Sequence, residues 1–330
     1  MRDAANEERM ASEITVGIDI GGTKIQAAVI AKGEVAGSGR VMTPDGGPKA
    51  VADAAAEAVD AALAEAGASR DDVRAAGTGI PGSVDADAGT VANSPNLPGL
   101  EGAEPIPFAA MLTDALGSVT ARIENDVRVA ILGEWKRGAG KPFQNLLGVW
   151  VGTGVGGGLV LRNELYEGTG PAGEIGHMIV KPGGRECSDG RKGHLESYAG
   201  RGRMEVTARE LAEKGRKTIL FELMEKKGRT RLSSGVFASA LEKGDKLAKE
   251  LVDEAVWALS IALASVQNLL ALEAIVIGGG LGDKLGEPFI RRIEEAMKPQ
   301  LFVPERAPAM VGSRFGDLSG AVGAAVMVGG

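Results

Sequence analysis

Short apolar runs separated by glycine turns fill the first eighty residues of the chain. An alanine-rich segment that begins at Pro48 and ends near Ala66 predicts a helix, since proline is favoured in a first helical turn and Gly67 follows its end. Four apolar runs predict strands around it, over residues 14–19, 25–31, 34–41 and 73–79. This strand-strand-strand-helix-strand order predicts a mixed sheet, in which antiparallel strands precede a parallel crossover.

The same layout returns later in the chain, and it predicts a second domain of related plan. Residues 146–151 and 159–162 predict strands on either side of a glycine turn, and residues 274–277 predict another strand. Helices are predicted over residues 108–116, 127–137, 197–213, 217–226, 233–241, 245–269 and 319–328, with a strand over 119–123. We therefore expect a disordered tail (1–12), a small α/β domain (13–123) to which a last helix (318–330) returns, and a larger α/β domain (124–317).

Composition and charge narrow the class of protein. The net charge of −7 argues against a nucleic-acid binder held by phosphate contacts. The most apolar stretch, residues 261–280, is interrupted by Gln267, Asn268 and Glu273, so it predicts a buried helix and strand rather than a membrane span. The charged tail is unlike a signal peptide, and one cysteine in 330 residues fits a reducing compartment. We expect a cytoplasmic enzyme or binding protein.

The first glycine turn carries residues suited to a phosphate. Asp19 ends an apolar strand, and Gly21, Gly22, Thr23 and Lys24 follow it. Glycines expose backbone N–H groups, the hydroxyl and ammonium add phosphate contacts, and the carboxylate can face a metal ion. The alternative is an ordinary Gly-Gly hairpin without a ligand.

The second glycine turn matches G-x-G-x-x-G through Gly152, Thr153, Gly154, Gly156 and Gly157. In a dinucleotide fingerprint these glycines open a helix, whereas here they lead into an apolar strand. The context therefore predicts a second phosphate-binding hairpin. The sequence also lacks the G-x-x-x-x-G-K-S/T pattern of a P-loop.

Asp126 lies where a predicted strand becomes a predicted helix. It can be the helix N-cap, or it can be a general base that orients a hydroxyl and takes its proton during transfer from a γ-phosphate. Asn125 beside it can hydrogen-bond a polyol.

All the histidine and cysteine of the chain lie in one polar segment. His177, Cys187, Asp189 and His194 are enough for one tetrahedral zinc site, although aspartate is a less common ligand there. The alternative is a metal-free loop in which His177 binds substrate and Cys187 has no special role. Glu174 and Glu196 can accept hydrogen bonds from sugar hydroxyls or lie in a solvated loop.

Seven motifs occur in one order, and together they resemble the ROK family of bacterial sugar kinases and repressors, within it the glucokinase-like enzymes. The motifs are DIGGTK from Asp19, GIPGSVD from Gly79, SPNL from Ser94, END from Glu124, GTGVGGG from Gly152, EIGH from Glu174 and IGGG from Ile277. The resemblance covers the chain from about residue 14 to its end.

The resemblance implies an actin-like ATPase (ribonuclease H-like) fold of two α/β domains flanking a cleft. It implies ATP, Mg²⁺ and a hexose phosphorylated at its 6-hydroxyl, most simply glucose, and a homodimer. It assigns Asp126 as catalytic base and places Gly82, Asn96, Asn125, Glu174, His177 and Glu196 around the sugar. Phosphates would lie at the turns from Gly21 and Gly152, Asp19 near Mg²⁺, and Gly279, Gly280 and Leu281 near the adenosine.

One departure from the family pattern concerns zinc. The family's segment reads C-x-C-G-x-x-G-C-x-E, and here Asp189 and His194 stand where two of its cysteines would be. Two histidines, one cysteine and one aspartate would then bind zinc, or bind it weakly, or not at all.

About thirteen residues precede the first strand, which disfavours the family's DNA-binding branch. Kinases for N-acetylglucosamine, N-acetylmannosamine, fructose or allose, and a sugar sensor without turnover, stay open as alternatives.

Overall fold

The computed structural model describes residues 14–94, 96–117, 119–169 and 172–329, and the tail expected to be disordered lies outside them. The chain divides into two compact units. The first unit contains the residues up to Gly138 and those from Leu318 onward, and the second contains Ala139–Asp317. The border therefore falls after Gly138 rather than at residue 123, because the helix that follows Asn125 packs against the last helix within the first unit.

The first unit is a five-stranded mixed sheet with helices. Its strands lie in the order β3-β2-β1-β4-β7, in which β1, β2 and β3 pair antiparallel and β1, β4 and β7 pair parallel. Its elements are β1 (Ile14–Ile20), β2 (Lys24–Ala31), β3 (Glu34–Met42), α1 (Gly47–Ala66), β4 (Val73–Ile80), β5 (Ser83–Asp85), β6 (Thr90–Ala92), α2 (Phe108–Leu116), β7 (Ala121–Asn125) and α3 (Asp126–Arg137). The last helix of the chain also belongs to it.

The second unit repeats this plan with more helices. Its sheet has the order β10-β9-β8-β11-β12, again with three antiparallel strands followed by two parallel ones. Its elements are β8 (Leu146–Val151), β9 (Val155–Leu161), β10 (Glu164–Tyr166), α4 (Glu196–Ala199), α5 (Arg201–Glu213), α6 (Leu220–Lys226), α7 (Ser234–Glu242), α8 (Lys246–Leu270), β11 (Ala274–Gly278), α9 (Gly279–Met297) and β12 (Ala309–Gly312). The two matching sheets confirm the prediction of two α/β domains of related plan.

The last helix, α10 (Ser319–Gly329), packs onto β1, β4 and α3 of the first unit through residues without side chains. A Cβ atom at Gly17 would overlap the Ala321 carbonyl, and one at Gly323 would overlap the Val129 carbonyl. Helix and sheet backbones can approach this closely only where glycine stands. The same contacts explain why a helix so distant in sequence belongs to the first unit.

Five elements were absent from the sequence prediction: helix α9 and the short strands β5, β6, β10 and β12, of which β10 has only three residues. Helix α9 begins inside a glycine run and is interrupted at Gly286 (φ 58°, ψ −151°), two residues before Pro288, so its sequence lacks the usual helix signals. The strand β12 and the hairpin β5–β6 are only four and three residues per strand, too short for a clear period. Among the described residues no helix is long and apolar enough to cross a membrane.

Candidate functional site

The first glycine turn joins β1 to β2 and leaves Gly22 and Thr23 exposed. Its shape is held from within, as the Gly21 N–H donates to the Lys24 carbonyl at 3.0 Å, and from outside, as the Thr43 hydroxyl donates to the Gly21 carbonyl at 2.5 Å. A Cβ atom at Gly22 would lie 2.6 Å from the Asn96 carbonyl oxygen. Gly22, which is predicted to bind phosphate, therefore lies against Asn96, which is predicted to bind sugar, within the first unit.

Asp19 lies between the first turn and the beginning of α10. A Cβ atom at Gly320 would lie 2.6 to 2.9 Å from the Asp19 carboxylate atoms, so the carboxylate lies against the first turn of this helix. The N-terminal end of a helix favours a negative charge, which gives Asp19 a structural partner. Its predicted place beside magnesium stays a prediction.

The strand-to-helix junction separates the roles of Asn125 and Asp126. Asn125 is the N-cap of α3, and its side-chain oxygen accepts from the N–H groups of Val127 at 3.0 Å and Arg128 at 3.2 Å. Asp126 is the first helical residue, and one of its carboxylate oxygens also accepts from the Val127 N–H at 3.0 Å. Since Asn125 is the N-cap, helix capping alone does not account for Asp126.

Two glycines allow the backbone to pack closely at this junction and at the loop that leads to Asn96. Gly79, near the end of β4, lies against the backbone of Asp126, where a Cβ atom would come 3.2 Å from its Cα. Gly82 has φ 119° and a Cβ there would lie 2.7 Å from the Ala92 carbonyl oxygen. Gly82 is therefore required by the backbone, and its predicted contact with a sugar remains a prediction.

The second glycine turn joins β8 to β9 and confirms that these glycines lead into a strand rather than a helix. The Gly152 N–H donates to the Gly154 carbonyl at 2.9 Å. Gly156 and Gly157 lie in β9, and Thr153 is exposed at the tip of the turn. The arrangement is a hairpin in both units, as predicted.

A third glycine run lies beside the second turn, because β11 and β8 are parallel neighbours and end at the same edge of the sheet. Gly279 has φ 82°, and a Cβ atom there would lie 2.7 Å from the Val151 nitrogen. Gly280 faces the Ser234 hydroxyl at the start of α7. Leu281, in contrast, is fully buried in the core, so only its backbone can meet a nucleotide.

Glu196 bridges the second turn and the polar loop. One carboxylate oxygen accepts from the Val155 N–H at 3.0 Å, and the other accepts from the Ser188 hydroxyl at 2.7 Å. A Cβ atom at Gly154 would clash with the same carboxylate. The structure therefore shows how Glu196 is held, whereas its predicted contact with a sugar remains a prediction.

The four predicted metal ligands come together in the second unit. The candidate ligand atoms of His177, Cys187, Asp189 and His194 all lie within 4.8 Å of one another. The Nδ1 atom of His177 lies 3.3 Å from Nδ1 of His194 and 3.0 Å from Oδ2 of Asp189, which is 3.5 Å from the His194 Nδ1. Tetrahedral zinc with bonds of about 2.0–2.1 Å to nitrogen and oxygen requires adjacent ligand atoms about 3.4 Å apart. The donor set fits a zinc ion.

His177 presents its two ring nitrogens to different neighbours. Its Nδ1 faces the metal group, while its Nε2 lies 4.0 Å from the Glu174 carboxylate. The side chain is 36% exposed, whereas that of His194 is 4% exposed. One nitrogen can therefore bind a metal while the other remains available to a substrate, so the two roles predicted for His177 are compatible.

Asp189 is held in its charged form by its neighbours. Burial raises the pKa of Asp189, but hydrogen bonds from the Arg191 N–H and guanidinium, with the charges of Arg191 and His194, outweigh that effect and lower the pKa. The Arg191 Nε donates to Oδ2 at 2.8 Å and its N–H donates to Oδ1 at 2.9 Å. Such outer partners orient a ligand before metal binds.

Two residues of this region were missed by sequence reasoning. Ser188 links the metal segment to Glu196, and Arg201 donates to the Thr153 hydroxyl at the second turn. Neither residue belongs to a recognisable motif. Only their position within fifteen residues of Cys187 could have suggested that they matter.

Comparison with known proteins identifies the class. The ROK family profile matches residues 15–330. A curated glucokinase of Halalkalibacterium halodurans is 33% identical over 87% of each chain, and an N-acetylmannosamine kinase of Haemophilus influenzae is 29% identical over 94% of each. The structure of a ROK family glucokinase from Streptomyces griseus, in complex with glucose and AMPPNP, matches with a TM-score of 0.80 and 30% identity, covering 95% of this chain and 98% of that one.

The chain belongs to the ROK family. The curated relatives reported above are sugar kinases, and the fold is the actin-like ATPase fold expected from the resemblance.

Proposed function

We propose that this protein is an ATP-dependent hexose kinase that phosphorylates glucose at its 6-hydroxyl. The observation that carries the proposal is the match, over nearly the whole chain, to a ROK glucokinase crystallised with glucose and AMPPNP. The two glycine hairpins and the retained Asp126 support it, since a protein that only binds sugar needs neither a phosphate turn nor a general base.

Asp126 is the proposed general base. Its carboxylate would accept a hydrogen bond from the 6-hydroxyl, orient that oxygen towards the γ-phosphate and take its proton as the new bond forms. Asp126 lies in the first turn of α3, which fixes the backbone that carries its carboxylate. Asn125 caps the helix, so the Asp126 carboxylate is not needed as the cap. The amide NH₂ of Asn125 is the group it can offer to a sugar hydroxyl.

The second unit offers the remaining proposed contacts. Sugar hydroxyls would donate hydrogen bonds to the carboxylates of Glu174 and Glu196 and would bond the Nε2 atom of His177. Backbone N–H groups at Gly152–Gly154 would donate to phosphate oxygens. The backbone at Gly279 and Gly280, beside the second turn, would lie against the adenosine. Excluding water from the bound substrates favours transfer to sugar over hydrolysis of ATP.

Asp19, Thr23 and Lys24 are the residues proposed around the phosphates in the first unit. The Asp19 carboxylate is a hard oxygen ligand of the kind that Mg²⁺ prefers, directly or through water. When bound, Mg²⁺ neutralises charge on the phosphate oxygens. Lys24 adds a positive charge of its own.

Zinc is proposed at His177, Cys187, Asp189 and His194, with a structural role. An ion there would tie together a loop that otherwise has little regular structure, and it would position His177 and the segment that carries Glu196. No step of the reaction depends on it.

An ADP-release assay with a panel of sugars tests the proposal. We expect ADP formation that depends on glucose and ATP, with the highest kcat/KM for glucose among glucose, mannose, fructose, allose, N-acetylglucosamine and N-acetylmannosamine. A protein that binds sugar without sugar-dependent ADP release would be a sensor, and the proposal would be wrong.

N-acetylmannosamine is the second candidate substrate, because a kinase for it matches over 94% of the chain. A higher kcat/KM for that sugar than for glucose in the same panel would select it. The expected homodimer is a separate proposal, for which a mass measured in solution by light scattering near twice that of one chain is the test.

A further inference from the structure

Arg201 extends into the second glycine turn from the first residue of α5. Its Nη2 donates to the Thr153 hydroxyl oxygen at 2.7 Å, and its Nη1 donates to the Leu232 carbonyl at 2.5 Å. Thr153 is exposed at the tip of the turn, whereas the Nε atom of Arg201 is buried. The guanidinium therefore links the exposed turn to the segment just before α7 through the Leu232 carbonyl.

The backbone beside Arg201 holds the same turn. The Arg201 N–H donates to the Gly152 carbonyl at 3.1 Å, and the Gly202 N–H donates to the Thr153 carbonyl at 2.9 Å. With its carbonyls bonded to the start of α5, the turn has a fixed orientation. Three hydrogen bonds from two consecutive residues thus act on Gly152 and Thr153.

The surroundings of Arg201 oppose its charge. Its Nε is buried and has no hydrogen-bond partner within the described residues. Burial lowers the pKa of Arg201, the charges of Arg231 and Arg229 lower it further, and Glu205 opposes them. A guanidinium remains charged in a protein, so the chain keeps a costly cation at this position.

Glu205 accepts its hydrogen bonds from groups other than Arg201. Its side chain is 5% exposed and accepts from the Arg209 guanidinium at 2.7 Å, the Leu232 N–H at 3.0 Å and the Arg231 Nε at 3.2 Å. Burial raises the pKa of Glu205, but these hydrogen bonds outweigh it and lower the pKa. The Arg201 side chain instead donates to the Leu232 carbonyl and to the Thr153 hydroxyl, and the second bond points to a role at the turn.

The bond to Thr153 determines what its hydroxyl can do. A threonine hydroxyl has one proton to donate and lone pairs to accept with. Because the Arg201 guanidinium can donate but not accept, the Thr153 proton does not point at it and stays free to meet another acceptor. A phosphate oxygen is a strong acceptor of this kind.

We propose that Arg201 is a positioning residue for the phosphoryl donor, which holds the Thr153 hydroxyl so that its proton points at a phosphate oxygen of the nucleotide. The inference rests on the proposed function only in placing phosphate at this turn. Arg201 does not touch the nucleotide and acts through Thr153.

A double-mutant cycle tests this role. Thr153→Val removes the donated proton and Arg201→Met removes its orientation, while the methionine retains an apolar side chain. We expect each variant to weaken ATP binding by about 10- to 100-fold, the size of one hydrogen bond to a charged group. The double variant should be no weaker than the more affected single variant, since both act on one bond.

The readouts separate positioning from damage to the fold. Calorimetry measures the Kd for ATP, and the steady-state assay measures the KM for ATP and for sugar separately; only the values for ATP should change. Thr153→Ser keeps the hydroxyl and should stay within about 2-fold of wild type. Arg231→Met removes a neighbouring arginine that bonds Glu205 rather than Thr153, and it should leave the ATP values within about 2-fold.

Several results would overturn the inference. One is an unchanged Kd for ATP in Arg201→Met. Another is a double variant whose Kd for ATP rises by the product of the two single effects, and a third is an equal rise in the KM values for ATP and for sugar. A wild-type protein that does not bind ATP also overturns it. A protein that binds ATP without sugar-dependent turnover contradicts the proposed function alone, and the calorimetric cycle then still decides the role of Arg201. If Arg201→Met does not fold, Arg201→Lys replaces it in the cycle, and its melting temperature is recorded.

Discussion

Removing one metal ligand gives the sharpest test of the zinc proposal. The three distances among His177 Nδ1, His194 Nδ1 and Asp189 Oδ2 are 3.0, 3.3 and 3.5 Å, close to the separation of about 3.4 Å that a tetrahedral ion requires. Little rearrangement of these three atoms is therefore needed to bind zinc, and most of the binding free energy should appear as stability. We expect one equivalent of zinc per chain and well under one in His194→Ala.

The size of the effect follows from linkage. Free zinc at 100 times its Kd stabilises the folded state by about 2.7 kcal/mol. The second unit contains Ala139–Asp317, and for a unit of this size each kcal/mol shifts Tm by about 2–4 °C. Chelation should thus lower the Tm of wild type by roughly 5–10 °C and leave that of His194→Ala unchanged.

The assays are elemental analysis of protein purified without chelator and calorimetric melting with and without chelator. Glu186→Gln is the matched control, because Glu186 is exposed and directly precedes Cys187 but is not one of the four clustered residues. It should retain one equivalent and the full shift. Zinc well below one equivalent in wild type, or an unchanged content in His194→Ala, would refute the four-ligand site.

Four further substitutions test the catalytic base, the helix cap beside it, a buried acid and a close helix contact. Asp126→Asn should lower kcat by at least about 10²-fold with sugar binding intact, whereas Asn125→Ala should cost about 1 kcal/mol of stability through the lost cap; near-full turnover in the first variant removes Asp126 from the mechanism. Glu205→Gln should cost about 1–2 kcal/mol at pH 7 through weakened hydrogen bonds. Because the folded pKa of Glu205 is lowered, its contribution is present above the unfolded pKa of about 4.3 and is lost as the pH falls through the folded value, so the gap between the melts of the two proteins should narrow as the pH falls below about 4.3; a constant gap contradicts this. Gly323→Ala should destabilise the first unit by about 1–3 kcal/mol in a denaturant titration, since the new methyl meets the Val129 carbonyl, and a neutral result would contradict that packing.

Local sequence signals predicted the site elements better than the residues that support them. The hairpins at Gly21 and Gly152 were predictable because glycines between two apolar runs are typical of a turn between strands. The cluster of four possible metal ligands was predictable because all histidine and cysteine lie in one segment. Arg201 escaped because its partner Thr153 lies 48 positions away, and no local pattern relates the two.

Asn125 and Asp126 show the same limit at a single junction. The sequence indicated that a strand becomes a helix there and offered Asp126 as a possible N-cap, whereas in the structure Asn125 is the N-cap. The backbone decided it, since only the extended conformation of Asn125 (φ −60°, ψ 138°) brings its side-chain oxygen to the N–H groups of Val127 and Arg128.

The sequence by itself predicted two mixed sheets joined to glycine hairpins, because apolar periodicity and glycine turns act over a few residues, and its motifs, through their resemblance to the ROK family, implied the fold and the kind of chemistry. Tertiary structure decided which residues meet. It brought Asp189 within 3.0 Å of His177, aligned Glu196 with the Val155 N–H, and returned α10 to a sheet made by the beginning of the chain. These contacts depend on packing between segments far apart in sequence, and that packing is set by backbone approach and side-chain shape, which no short pattern of residues records.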